Sequence, residues 1–141
     1  RFPSNRFTTC FFAVLDPERH QLTYVNASQE TPFILRRAAD PLPLPSAGLP
    51  LGLFDDSEYT SGRVALEPGD VLLCYSDGVT EALNAAGDEF GEERLLPCID
   101  AHRGSTPEVL LDRILATVRT FAASAAQNDD VTALVLRYKT R

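Results

Sequence analysis

The chain has 141 residues, 44% of them hydrophobic and 23% charged, with a formal net charge of −7. That size and apolar content suit one domain or part of one, and exclude a disordered tail, a collagen-like repeat and a coiled coil. Thirteen basic against twenty acidic residues, with no basic cluster along the chain, argue against a nucleic-acid footprint. No run approaches the roughly 20 apolar residues of a membrane-spanning helix. Methionine is absent, so Arg1 is expected not to be the native start.

In chain order, Phe7 to Leu15 is β-branched and aromatic and reads as a strand. Asp16-Pro17-Glu18-Arg19 is a turn, with proline where its fixed φ suits a type I turn. Gln21 to Ala27 alternates and completes an antiparallel hairpin, and Pro32 to Arg37 is a third strand. Four of the ten prolines fall between Asp40 and Pro50, which predicts a loop without regular structure. Gly62–Leu66 and Asp70–Tyr75 flank Glu67-Pro68-Gly69, a type II turn sequence, and predict a second hairpin. Thr80 to Ala86 is expected to be a short helix stopped by Gly87, and Glu92 to Ala101 a second one limited or kinked by Pro97. Ser105-Thr106-Pro107-Glu108 has the form of a capping box opening a helix whose stripe is Leu110, Ile114, Val118, Phe121 and Ala125. Val131 to Tyr138 is the last strand. Strands first, helices later and a closing strand make the fold class α+β, antiparallel sheets backed by helices.

The cysteines, Cys10, Cys74 and Cys98, are odd in number and widely spaced, which excludes a disulfide framework and a C-x-x-C pair. Cys10 and Cys74 sit in apolar runs and read as buried thiols. Cys98 and Arg103 miss the spacing of a cysteine phosphatase loop by one residue. His20 and His102 are isolated in polar, turn-like contexts and read as surface residues. No Ser-His-Asp arrangement, Walker loop or dinucleotide fingerprint is present.

Asp77 stands at the end of the strand Val71–Tyr75, and Asp129 and Asp130 immediately precede Val131–Tyr138. If the two strands are neighbours, these carboxylates converge at one sheet edge. There they repel unless a hard divalent cation neutralises them. Such a cation acidifies a bound water and orients it toward a phosphate ester. Taken singly, Asp-Gly is also a common turn pair and Asn-Asp-Asp ordinary loop composition.

Gly69-Asp70-Val71-Leu72-Leu73-Cys74-Tyr75-Ser76-Asp77-Gly78-Val79-Thr80-Glu81-Ala82 resembles the hallmark of bacterial metal-dependent serine/threonine phosphatases, the SpoIIE/RsbU-like branch of the PP2C superfamily. The similarity continues through Glu89–Leu95 and Asn128-Asp129-Asp130-Val131-Thr132, and upstream through Tyr24–Ala27 and Pro50–Phe54. The resemblance implies a PP2C-like β-sandwich of antiparallel sheets flanked by helices. Residues 1–141 would be the C-terminal portion of that single domain. It implies two Mn²⁺ or Mg²⁺ ions in the complete domain, with Asp77 and Asp129 as ligands acting through a metal-activated water. Gly78, Thr80, Asp130 and Thr132 would support them. The family's metal-bridging aspartate and its neighbouring glycine would lie before Phe7, so metal affinity and activity of this chain alone are expected to be poor.

The implied substrate is a phosphorylated regulatory protein, an anti-sigma-factor antagonist, in a cytoplasmic partner-switching circuit, with room for an upstream sensory domain or a dimer. The rival expectation is a degenerate, non-catalytic phosphatase that docks a regulator. Where relatives usually carry Gly-His after Asn26-Ala27, this chain has Ser28-Gln29.

Overall fold

A computed structural model describes residues 6–123, 125 and 129–140. The strands are β1 (Cys10–Asp16), β2 (Gln21–Ala27), β3 (Phe33–Leu35), β4 (Leu42–Pro43), β5 (Gly62–Ala65), β6 (Val71–Tyr75) and β7 (Ala133–Arg137). The helices are α1 (Asp77–Thr80), α2 (Gly91–Ala101) and α3 (Pro107–Ala122). A three-stranded sheet has the order β1-β2-β5, a four-stranded sheet the order β4-β3-β6-β7, and every pairing is antiparallel.

The pleat explains how one short strand serves two cores, because successive side chains leave on opposite faces. Ile34 joins Leu22, Leu44, Val64 and Leu66 between the sheets. Its neighbours Phe33 and Leu35 face the other way, against Leu95, Ile99, Leu110, Ile114 and Val118 of the helices. Leu72 against Val71 and Leu73 repeats the division on β6. The result is sheet on sheet on helices, the α+β sandwich expected. On the outer face of the three-stranded sheet Phe12 and Val14 are exposed.

The β1–β2 hairpin forms as expected, with Asp16 opposite Gln21 and Asp16 Oδ1 accepting from the backbone N–H groups of Glu18 and Arg19. The second expected hairpin does not. The turn at Glu67–Asp70 is real, with Asp70 N–H donating to the Glu67 carbonyl at 3.0 Å and Gly69 at φ 95°. It carries the chain between sheets, however, since β5 pairs with β2 whereas β6 pairs with β3 and β7. A turn sequence specifies local geometry, not the partner of each arm.

Three smaller expectations are corrected, and the helix expected over Glu92–Ala101 is present as α2. The proline-rich segment contains β4, whose short pairing to β3 seats Leu44 in the inter-sheet core. Instead of a helix over Thr80–Ala86, α1 begins at Asp77 and stops at Thr80, and an antiparallel bridge joins Leu83 to Glu89. In α2, Pro97 lies inside the helix on the exposed side. The carbonyl its ring leaves without an N–H partner can therefore be hydrated. The cap of α3 is Thr106 rather than Ser105, because Pro107 occupies the first helical position and the Thr106 hydroxyl accepts from Val109 N–H at 3.3 Å. The stripe Leu110, Ile114 and Val118 is buried and Phe121 packs on the same core; Ala125 lies beyond the helix end.

All three cysteines are free; Cys98 is buried, while Cys10 and Cys74 are half-buried. Burial pushes the Cys74 thiol up to about 11. Among the described residues no helix is long and apolar enough to cross a membrane.

Candidate active site at the end of β6

Strands β6 and β7 pair in register from Val71 opposite Arg137 to Tyr75 opposite Ala133. Beyond the ladder the chains stay together. Ser76 N–H donates to the Thr132 carbonyl at 2.9 Å, Thr132 N–H donates to Ser76 Oγ at 3.0 Å, and Ser76 Oγ donates to the Asp130 carbonyl at 3.1 Å. This clasp brings Asp77, first residue of α1, beside the segment carrying Asp129 and Asp130, all three exposed. Sequence inspection assigned Ser76 no role, although it immediately precedes the Asp-Gly pair.

The approach is close enough to require glycine. A Cβ on Gly78 would stand 2.3 Å from the Asp130 carbonyl oxygen, inside any allowed contact. Gly78, Val79 and Thr80 are the buried residues of α1, and the Thr80 hydroxyl donates to Glu30 Oε2 at 3.1 Å. Asp130 N–H donates to Asp129 Oδ1 at 2.7 Å. Thr132 enters through its backbone, and its side chain is exposed. Asn128 lies outside the described residues.

More carboxylates gather here than the two strand-end motifs suggest. Glu81, fully exposed, has its pKa raised above 4.5, chiefly by the negative charge of Asp77 and further by Glu89, Glu30 and Asp129. Glu30 comes from the segment before β3, and Glu81 and Glu89 from the bridged loop after α1, so only the fold unites them. Glu81 alone had a sequence signal, standing four residues after Asp77. The Ser28-Gln29 departure is built into the same region. Ser28 takes the left-handed conformation, φ 59°, held by Ser28 N–H to Ser46 Oγ at 3.0 Å and Ser28 Oγ to the Gly48 carbonyl at 3.0 Å. Gln29 then donates through Nε2 to the Tyr75 carbonyl at 3.3 Å, and its N–H binds Oδ1 of the fully buried Asn26.

These carboxylates are the oxygen donors that Mg²⁺ and Mn²⁺ prefer. Among the described residues, no group of three or more His, Cys, Asp or Glu has a metal-holding arrangement. The donor set fits a hard cation in kind, as part of a coordination shell completed by water and other groups.

The model of the family Stage II sporulation protein E (SpoIIE) matches residues 1–139. The chain belongs to the SpoIIE family. RsbU of Bacillus subtilis, named a phosphoserine phosphatase, is 32% identical over 141 residues, covering 96% of this chain and 40% of the relative. Protein IcfG of Synechocystis is 32% identical over 130 residues, covering 92% of this chain and 20% of that protein. Among solved structures, the SiaA-PP2C domain of Pseudomonas aeruginosa superposes with a TM-score of 0.82 at 22% identity, covering 93% of this chain and 52% of the domain. The phosphatase domain of SpoIIE from Bacillus subtilis, presoaked with manganese, gives 0.72 at 16% identity, covering 94% and 57%. The fold is thus that of a PP2C-type phosphatase domain. The chain spans 20% to 40% of these curated relatives and about half of the solved domains.

Proposed function

We propose that residues 1–141 are the C-terminal portion of a SpoIIE-family phosphatase domain that removes phosphate from serine or threonine of a regulatory protein in the cytoplasm. The carrying observation is the Ser76 clasp, which draws the Asp77 and Asp129 segments together at the end of β6 and β7. Family membership and the phosphoserine phosphatase named among the relatives point the same way. The substrate we favour is a phosphorylated anti-sigma-factor antagonist in a partner-switching circuit.

In this reading Asp77 and Asp129 hold Mn²⁺ or Mg²⁺. The chemistry such a cation supplies when bound is neutralisation of the gathered carboxylates and an acidified water. The chain's own residues do the positioning. Ser76 locks the two segments, Gly78 admits the Asp130 backbone, Asp130 N–H orients the Asp129 carboxylate, and Thr80 anchors Glu30. The Thr132 N–H completes the lock on Ser76. In the net reaction water oxygen bonds to phosphorus, the bond from phosphorus to the serine or threonine oxygen breaks, and that oxygen takes a proton. Because the resemblance places the family's metal-bridging aspartate before Phe7, the chain alone is expected to have little activity.

The test is phosphoesterase turnover with Mn²⁺, for this chain and for a version extended at its N-terminus. The extended protein should turn over and the short one barely. Asp77→Ala in the extended protein should cost more than the ~10–100-fold typical of a residue that merely supports a ligand. Equal hydrolysis by Asp77→Ala overturns the mechanism. Ser28-Gln29, where relatives usually carry Gly-His, favours a second reading, a non-catalytic module that docks a regulator. Calorimetry separates the two, since that reading requires binding of an unphosphorylated partner with no metal requirement.

A further inference from the structure

At the opposite end of β6 the fold assembles what the sequence keeps apart. Arg36 and Arg37 follow β3, Arg103 follows α2, and Arg137 ends β7, yet all four line one cleft of about 350 Å³. In a chain of net charge −7, four guanidinium groups meet two carboxylates there, Glu67 and Asp70. Beneath the cleft lie Ile99 and Leu110, both buried in the helical core. The volume falls in the range of small-molecule sites.

Arg36 and Arg103 each make one ion pair, and Arg36, Arg103 and Arg137 are also anchored to backbone carbonyls. Arg36 donates through Nη2 to the Ala65 carbonyl at 2.6 Å and through Nε to Asp70 Oδ2 at 3.3 Å. Asp70 is itself buried and also accepts from Glu67 N–H at 2.9 Å. Arg103 donates to the Arg36 carbonyl at 3.1 Å and to Asp100, and Arg137 donates to the Ser105 carbonyl. Each guanidinium has five N–H groups, so carbonyl anchoring fixes the forks and leaves donors over. Arg37 is exposed and makes no ion pair among the described residues. Fixed, incompletely used guanidinium forks are suited to bidentate recognition of phosphate oxygens.

We propose that this cleft binds a compact anion with two adjacent phosphates, held among the four arginines. The site is separate from the acidic edge: Asp70 precedes and Asp77 follows the five-residue strand β6, which itself spans roughly 16 Å. It does not depend on the phosphatase reading.

The experiment is isothermal calorimetry on the protein without divalent cations, so that no metal is carried to the acidic edge, using inorganic pyrophosphate and ADP as probes at matched ionic strength. Saturable binding with a Kd of about 1 mM or tighter is expected, weakened at least ~fivefold by Arg37→Ala and further by Arg37→Glu. Arg37 is exposed and in no ion pair among the described residues, and Arg103→Lys, which keeps charge but loses the fork, gives an independent loss of binding. Absence of saturable binding by both probes, or binding untouched by Arg37→Glu and Arg103→Lys, overturns the proposal.

Discussion

Strand β6 carries an aspartate beyond each end, and the two live in opposite environments. Asp70 is buried, receives the Glu67 N–H and the Arg36 guanidinium, and its own carbonyl accepts from Tyr138 N–H. Asp77 is exposed at the head of a one-turn helix, where its charge raises the pKa of Glu81 among further carboxylates. The same residue type is a structural tie in one place and a source of repulsion in the other. A fold keeps a repulsive group where something besides stability uses it. The proposed cation site sits at the repulsive end and the proposed anion cleft at the end rich in arginine.

Matched substitutions would break this contrast if it is wrong. The largest effect is expected from Asp77→Asn in the N-terminally extended protein: a fall in Mn²⁺-dependent turnover beyond ~100-fold, with the melting temperature held or raised. Gly78→Ala drives a methyl against the Asp130 carbonyl and should destabilise by ~1–3 kcal/mol in denaturant titration. It should also lower turnover, because the clasp must open to relieve the contact. Asp70→Asn should cost ~1–2 kcal/mol, the partner Arg36 being partly exposed and its ion pair correspondingly screened. Mn²⁺ binding should be unchanged by it. The smallest effect is at Glu81. Because its folded pKa is raised above 4.5, the folded chain holds that proton more tightly than the unfolded one. Its contribution to stability is therefore present at low pH and lost as pH rises through the raised value. Glu81→Gln should give a small rise in melting temperature that grows above pH 4.5 and disappears when Mn²⁺ is added.

The acidic end was partly legible in the sequence, and the reason is local. Asp-Gly after an apolar run and Asp-Asp before one mark strand ends, and antiparallel pairing of those two strands suffices to bring the ends together. Glu30 and Glu89 were not legible because loops deliver them, and a loop's destination depends on the core beneath it. The arginine cleft was invisible for the same reason: its residues are spread from Arg36 to Arg137, and a scan for basic clusters along the chain finds none. Most strands could be read from apolar and β-branched runs, and the β1–β2 pairing from its turn, but the partners of β5 and β6 could not. The Gly62–Tyr75 stretch has a true turn, yet its arms part because Val64 packs between the sheets while Val71 and Leu73 face the helices. The α3 cap moved by one residue because proline at the first helical position fixes where the helix starts.

Among the described residues, strand β7 is at the edge of its sheet and pairs only with β6. Its Leu134 and Leu136, on the face opposite the helices, remain half exposed. An edge strand held by one ladder is the part of a sheet that opens most readily. The segment with Asp129 leads directly into that strand, so whatever bridges it to Asp77 also staples the edge shut. Amide hydrogens of Ala133 to Arg137 would then report ligand occupancy by their exchange rates, without any measurement at the carboxylates themselves.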